Sequence, residues 1–170
     1  MYKRFVFDHI SFPVGKIYED LAVAFKEILL CKKVVYGDAR LYFYLQRENS
    51  TMNESFNIKQ YDEINIVDSA TEEVLELYPD FDKEVVYRRA CSYFAVLYRI
   101  LSCNDKNGFV NERKEIVSKL MKYRSILLRG WNKDKSMKVK LVALSVGQYP
   151  YYICQKIISN LKKKAILRIK

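Results

Sequence analysis

Two adjacent carboxylates, Glu19 and Asp20, follow a Pro13-Val14-Gly15 turn and stand at the start of a segment with helical apolar spacing. The dipole of a helix stabilises an ionised carboxylate in its first turn, and the helix holds the group in a fixed direction. Both properties suit a general base that removes a proton from a hydroxyl group. The pair has a simpler interpretation, in which it only complements the dipole, and the two residues by themselves favour that interpretation.

The residue types that usually bind metals or act as nucleophiles show no useful spacing. His9 is the single histidine and flanks a turn, so a histidine metal site is excluded. The four cysteines lie in apolar stretches without a Cys-x-x-Cys motif, which predicts buried, reduced side chains. These cysteines are Cys31, Cys91, Cys103 and Cys154.

The elements that would position the carboxylates are mixed near the N-terminus and helical afterwards. A helix is predicted from Tyr18, and two short strands are predicted at Val34-Val35-Tyr36 and Leu41–Leu45. Further helices are predicted over Ile58–Tyr78, Asp82–Ser102, Asn111–Gly130 and Lys135–Gly147, and from Pro150 onward. In these predictions Asp82 and Asn111 cap their helices, and Pro150 occupies a first-turn position.

The predicted fold is therefore α+β and mainly helical, with an N-terminal region at 1–56 and a helical region at 57–170. Two short strands do not form a stable sheet alone, so we expect the sheet to begin in residues outside this chain.

Charge divides the chain into two halves. Residues 1–82 contain nine Lys/Arg and fifteen Asp/Glu, a net charge of −6, whereas residues 83–170 contain twenty-one and five, a net charge of +16. The last predicted helix combines an apolar stripe with a lysine-rich end. Two interpretations stay open for it, a helix lying on an anionic membrane surface and an ordinary solvated helix.

Neither a signal peptide nor a stretch of about 18 apolar residues is present. We therefore expect a cytoplasmic protein that contacts the inner face of the cell membrane at most peripherally.

The first sixty residues resemble the C-terminal region of bacterial family 2 glycosyltransferases. Four pieces carry the resemblance, in order along the chain. They are Tyr2-Lys3-Arg4 with Phe7, the turn from Phe12-Pro13 to Glu19-Asp20, the predicted strand pair from Lys33 to Tyr44, and Arg47-Glu48-Asn49-Ser50-Thr51-Met52, which is similar to an Arg-x-x-Ser-x-Met segment.

The resemblance implies the C-terminal part of a GT-A fold and an inverting transfer of sugar from a nucleotide-sugar donor to a glycan or lipid-linked acceptor in surface polysaccharide synthesis. By this resemblance Asp20 is the general base and Glu19 orients the acceptor or the helix start. Arg47, with Gln46, belongs to the substrate-binding segment, where a guanidinium can hold diphosphate oxygens through two hydrogen bonds.

The chain departs from the family in one respect. The family's metal-binding Asp-x-Asp lies well upstream of the Glu-Asp motif, whereas here only 18 residues precede Glu19. Asp80-Phe81-Asp82 lies downstream at a predicted helix start, where capping is the expected role. We therefore expect the ligands of the divalent ion, Mn or Mg, and the nucleotide-binding half to be absent from this chain, and the chain alone to be inactive.

The alternative function is a non-enzymatic, basic helical module that binds nucleic acid or another polyanion. Tyr87-Arg88-Arg89 and Tyr98-Arg99 would supply stacking and phosphate contacts. The acidic first half and the lack of a nucleic-acid-binding motif make this the weaker interpretation.

Overall fold

The structure is a computed structural model. It describes residues 4–8, 10–39, 42–43, 45, 55–103, 105, 108–130 and 134–167, with the side chains of 130 and 162–167 excepted.

Seven α-helices lie within these ranges, together with short 3₁₀ turns at Arg4–Asp8, Ile58–Tyr61 and Pro79–Phe81. The helices are α1 (Glu19–Leu29), α2 (Asp62–Leu77), α3 (Asp82–Ser102), α4 (Val110–Lys122), α5 (Arg124–Gly130), α6 (Lys135–Val146) and α7 (Gln148–Leu167).

The predicted α+β class is wrong, because the described residues contain no strand. Residues 33–39 have no regular structure, and Val34, Val35 and Tyr36 are 65%, 76% and 90% exposed. Residues 42, 43 and 45 of the second predicted strand are likewise irregular and exposed, and its other residues lie outside the described part. A β-branched and aromatic run forms a strand only when another strand pairs with its backbone, and no described segment does so.

The main core is built around α3. The side chains of Ala90, Phe94, Leu97 and Ile100 are at most 1% exposed, and they recur at the spacing that places them along one side of the helix. α2, α4, α5 and α7 all pack against α3. The buried Tyr151 of α7 adds a specific contact, because its hydroxyl donates a 2.6 Å hydrogen bond to the Phe94 carbonyl oxygen.

The N-terminal region has a small hydrophobic cluster of its own. Val6, Ile10 and Val23 are buried together, separately from the main core. α1 packs against α2, so this region lies on the helical bundle.

Helix boundaries follow the local signals, with four corrections. Pro79 and Gly147 separate helices as predicted. The helix predicted from Asn111 is divided at Tyr123 into α4 and α5. Asp82 is the first residue of α3 and does not cap it, because Phe81 occupies the cap position.

The other two corrections concern Asn111 and Pro150. α4 begins one residue before Asn111, with Phe109 at the cap position. α7 begins two residues before Pro150, which is still within the first turn, where the missing N–H of proline has no intrahelical partner to lose.

Within the part of the chain that the structure describes, every helix is too short or too polar to cross a membrane.

Candidate functional site

The start of α1 has an unusual backbone. Gly15 and Tyr18 both have positive φ angles, of 76° and 66°. Glycine adopts this left-handed region freely, but for a tyrosine it costs on the order of 1–3 kcal/mol. The carbonyl oxygen of Tyr18 accepts hydrogen bonds from the N–H groups of Leu21 and Ala22, at 3.1 and 3.3 Å. The strained residue, Tyr18, is therefore the N-cap of α1, immediately before Glu19.

Contacts with the bundle hold Tyr18 in this conformation. Nη1 of Arg99, on α3, donates a hydrogen bond to the Tyr18 hydroxyl, and the guanidinium lies 5.6 Å from the centre of the tyrosine ring. Nη2 of Arg99 in turn donates to Glu63 of α2 at 2.7 Å. Burial raises the pKa of the Tyr18 hydroxyl, with Arg99 opposing that effect. These three residues form the Tyr18–Arg99–Glu63 clamp, which joins the start of α1 to the two central helices.

A cleft of about 380 Å³, lined by both polar and apolar side chains, lies between residues 10–16, α1 and α2. Two ion pairs connect its walls, Lys16 to Asp62 at 2.8 Å and Lys26 to Glu73 at 3.1 Å. All four charged side chains line the cleft together with polar and apolar neighbours. These neighbours are Asn65, Ser69, Ser11, Ala22, Val23, Phe25 and others. The combination of hydrogen-bonding groups and an aromatic ring is suited to a small polar molecule such as a sugar.

Glu19 and Asp20 are both exposed in the first turn of α1. One oxygen of Asp20 accepts a 2.8 Å hydrogen bond from the N–H of Leu21. Neither carboxylate lines the cleft, but Glu19 begins the helical row that continues through Ala22, Val23 and Lys26, which do. The two carboxylates therefore stand at the start of α1, about one helical turn before the residues of this helix that line the cleft.

Among the described residues, no other carboxylate or arginine singled out from the sequence lines the cleft either. Arg47 and Gln46 lie outside the described residues. Asp80 and Asp82 are exposed around the start of α3, and neither makes a side-chain cap bond. Among the described residues no group of three or more His, Cys, Asp or Glu could hold a metal ion. The donor-binding part of the predicted site therefore has no counterpart in the described chain.

A second polar cluster, which the sequence did not reveal, joins α2, α3 and α4 around Asp68. The Tyr93 hydroxyl donates to Asp68, and Lys119 Nζ lies 3.0 Å from its other oxygen. Arg89 donates to Thr71 at 2.6 Å and to Tyr123 at 3.1 Å. The three helices are thus connected by hydrogen bonds as well as by apolar packing.

The pKa values of Tyr93 and Lys119 are shifted in the directions that preserve their contacts with Asp68. Burial and the hydrogen bond to Asp68 raise the pKa of Tyr93, so its hydroxyl stays a donor. Burial by itself would lower the pKa of Lys119, but Glu115 and Asp68 outweigh it and raise the pKa. The Asp68 carboxylate is in contact with Lys119, Arg89 and Tyr93, all of which belong to the bundle. We therefore assign this cluster a structural role.

Two arginines of the alternative interpretation, Arg89 and Arg99, form contacts inside the protein. The Arg89 side chain is only 12% exposed and pairs with Glu72 at 3.0 Å. Arg99 belongs to the clamp, and Tyr87 donates to Asp134 at 2.7 Å. Tyr98 stacks on Tyr152 with ring centres 5.6 Å apart. These four residues therefore connect the helices of the bundle, whereas Arg88 is exposed and donates a 2.9 Å hydrogen bond to Ser92.

Comparison of this chain with protein-family models, with curated proteins and with solved structures gives no match.

Proposed function

We propose that this chain supplies the acceptor-side catalytic part of an inverting, sugar-nucleotide-dependent glycosyltransferase, with Asp20 as the general base. One structural observation supports the proposal: two exposed carboxylates stand at the start of α1, a helix that the Tyr18–Arg99–Glu63 clamp joins to the bundle and that lines a cleft about one turn further along. The family resemblance of residues 1–60 supplies the reaction class.

The reaction assigns one proton transfer to this chain. The Asp20 carboxylate accepts the proton of an acceptor hydroxyl while the oxygen of that hydroxyl attacks the anomeric carbon of the donor sugar. The bond between the anomeric carbon and the nucleoside diphosphate breaks on the opposite face, which inverts the configuration. Because the described residues offer no metal cluster, no step is assigned to a metal held by this chain.

The cleft is the proposed acceptor site. Asn65, Ser69 and the two ion pairs offer hydrogen bonds to sugar hydroxyls, and Phe25 offers an apolar face. An acceptor bound there would extend its reacting hydroxyl toward the start of α1, where Asp20 stands. Glu19, at the start of the same helical row, would orient it. Arg47 and Gln46 keep their proposed role on the donor side.

The polyanion-binding module has less support. Its arginines Arg89 and Arg99 are engaged with acidic residues of α2, so binding of nucleic acid through them would break those ion pairs. Other basic residues lie elsewhere, including seven lysines on α6 and α7, which contain no Asp or Glu.

The test compares two products, the 170-residue chain and a product in which the same chain follows any residues encoded in frame before Met1. Each is incubated with nucleotide sugars, manganese and a panel of glycan and lipid-linked acceptors. We expect transfer only by the extended product. Asp20→Asn in that product should lower kcat by about 10²- to 10⁴-fold and leave donor binding unchanged, because a positioned base contributes about that much to the rate.

Asp82→Asn is the matched control, since Asp82 is likewise an exposed carboxylate in the first turn of a helix. It should leave kcat unchanged, which would also show that Asp80-Phe81-Asp82 is not a metal motif. An Asp20→Asn variant with most of its kcat would move the base to another residue. An extended product that transfers no sugar, or an upstream region without an Asp-x-Asp motif, would contradict the proposal.

A further inference from the structure

The helices α6 and α7 each expose a row of apolar side chains at the other end of the chain. Val139, Val142 and Val146 recur at helical spacing on α6 and are 52–77% exposed. They lie on a different side from Met137, Leu141 and Leu144, which are buried in the main core. α6 is therefore apolar toward the core and toward the solvent.

α7 repeats this arrangement over a greater length. Tyr149, Ile153, Ile157 and Leu161 recur every four residues and are 41–71% exposed, whereas Tyr151 is fully buried. Four-residue spacing places these side chains in one row of about 18 Å along the helix. Val146 and Tyr149, at the ends of the two rows, are three residues apart in the chain. We call these seven exposed residues the α6–α7 apolar surface.

The charge around this surface has one sign. Residues 135–170 contain nine Lys/Arg and no Asp or Glu. Lys135 and Lys156 are exposed beside the two rows, and Lys162, Lys163 and Lys164 follow within α7. An apolar row on a helix combined with purely basic charge is typical of segments that lie in the interface of an anionic membrane.

We propose that the α6–α7 apolar surface binds to an anionic lipid bilayer, with the apolar rows inserted at the headgroup boundary and the lysines contacting lipid phosphates. A second copy of the chain is a poorer occupant, because two such surfaces would bring like charges together. The proposal is independent of the glycosyltransferase function, because it uses none of the residues of the cleft or the clamp.

Vesicle co-sedimentation of the full chain tests the proposal. The vesicles consist of phosphatidylcholine alone or of phosphatidylcholine mixed with phosphatidylglycerol. We expect the chain to pellet with the mixed vesicles and much less with the neutral ones. Raising the ionic strength from about 0.01 M to about 0.1 M should weaken binding, because the screening length falls from about 30 Å to about 10 Å.

Two variants with matched controls separate the apolar and the electrostatic parts. The double variant Ile153→Ser and Ile157→Ser should weaken binding by about tenfold or more, since it removes two partly buried aliphatic side chains from the lipid. Leu77→Ser is its control, because Leu77 is a helical residue that is 60% exposed on α2. Lys156→Glu should weaken binding by about tenfold. Lys114→Glu, at an exposed position on α4, should have little effect.

Three results would overturn the proposal: no pelleting with anionic vesicles, equal pelleting with neutral and anionic vesicles, or equal losses in the variants and their controls. Binding to RNA that survives the two Ile→Ser changes, without binding to vesicles, would assign the basic surface to nucleic acid instead. Circular dichroism of each variant establishes that the helices are retained.

Discussion

The N-terminal region, residues 4–45, and the helical bundle, residues 55–167, are stabilised in different ways. The bundle surrounds α3 with residues that are almost fully buried, such as Leu97 and Ile116. The N-terminal region buries Val6, Ile10 and Val23, while Val14 and Phe43 are about fully exposed. Apolar burial is the dominant favourable term in folding, so the bundle should retain its structure without the N-terminal region, but not the reverse.

The difference matters because the proposed catalytic carboxylates belong to the weaker region. Their position depends on the Tyr18–Arg99–Glu63 clamp and on two ion pairs between partly exposed side chains. Exposed ion pairs contribute little, typically below about 1 kcal/mol each. The clamp, whose Glu63 side chain is only 10% exposed, is therefore the principal anchor of the proposed site.

The largest expected difference between the two regions concerns their cores. Leu97→Ala should lower the free energy of unfolding by about 2–5 kcal/mol, because it opens a cavity at the centre of the bundle. Val23→Ala removes two methylene equivalents from the small cluster and should cost about 1.6 kcal/mol or less. Urea unfolding followed by circular dichroism measures both. A larger loss for Val23→Ala would show that the N-terminal region is integral to the core.

A smaller difference in stability is expected between the loss of a bundle carboxylate, Asp134, and the loss of an N-terminal one, Asp38. Asp134 accepts hydrogen bonds from the N–H groups of Ser136 and Met137, at 2.9 and 3.3 Å, and caps α6. Burial would raise the pKa of Asp134, but the hydrogen bonds from Ser136, Tyr87 and Met137 outweigh it and lower the pKa. A lowered folded-state pKa contributes stability above the unfolded value of about 3.9, and that contribution is lost as the pH falls through the folded value.

Asp134→Ala should therefore lower the free energy of unfolding by about 0.5–2 kcal/mol at pH 7, and the difference from wild type should shrink below about pH 4. Asp38→Ala, at an exposed position of the N-terminal region, should change it by about 0.5 kcal/mol or less at either pH. Urea unfolding at pH 7 and at acid pH measures both variants. A difference for Asp134→Ala that grows toward acid pH would reverse the assigned direction.

The smallest expected effect concerns the clamp. Tyr18→Phe removes the hydroxyl that accepts the hydrogen bond from Arg99, which should cost about 0.5–1.5 kcal/mol. Because this hydrogen bond joins the start of α1 to the bundle, amide hydrogen exchange should become faster in α1 and stay unchanged in α3. Equal acceleration in both helices would mean that the two regions unfold as one unit.

The helices could be predicted from sequence because their signals are local. Apolar spacing located α1 and α3, and Pro79 and Gly147 marked where helices end. The first turn of α1 was likewise predicted, with Glu19 and Asp20 in it. The prediction of two strands failed because Val34-Val35-Tyr36 has the residue types of a strand, but pairing depends on a second segment that the pattern does not specify.

The sequence by itself determined the helical character of residues 58–167, the exposed carboxylate pair and the basic charge of the C-terminal end, because these depend on residue type and on neighbours a few positions apart. Only the tertiary structure decided the roles of Arg89 and Arg99, whose partners Glu72 and Glu63 lie 17 and 36 residues away in the chain. As a sequence, the Tyr-Arg pairs looked suited to phosphate. Packing of α2 against α3 places carboxylates beside Arg89 and Arg99, and a partly buried guanidinium forms an ion pair with the nearest carboxylate.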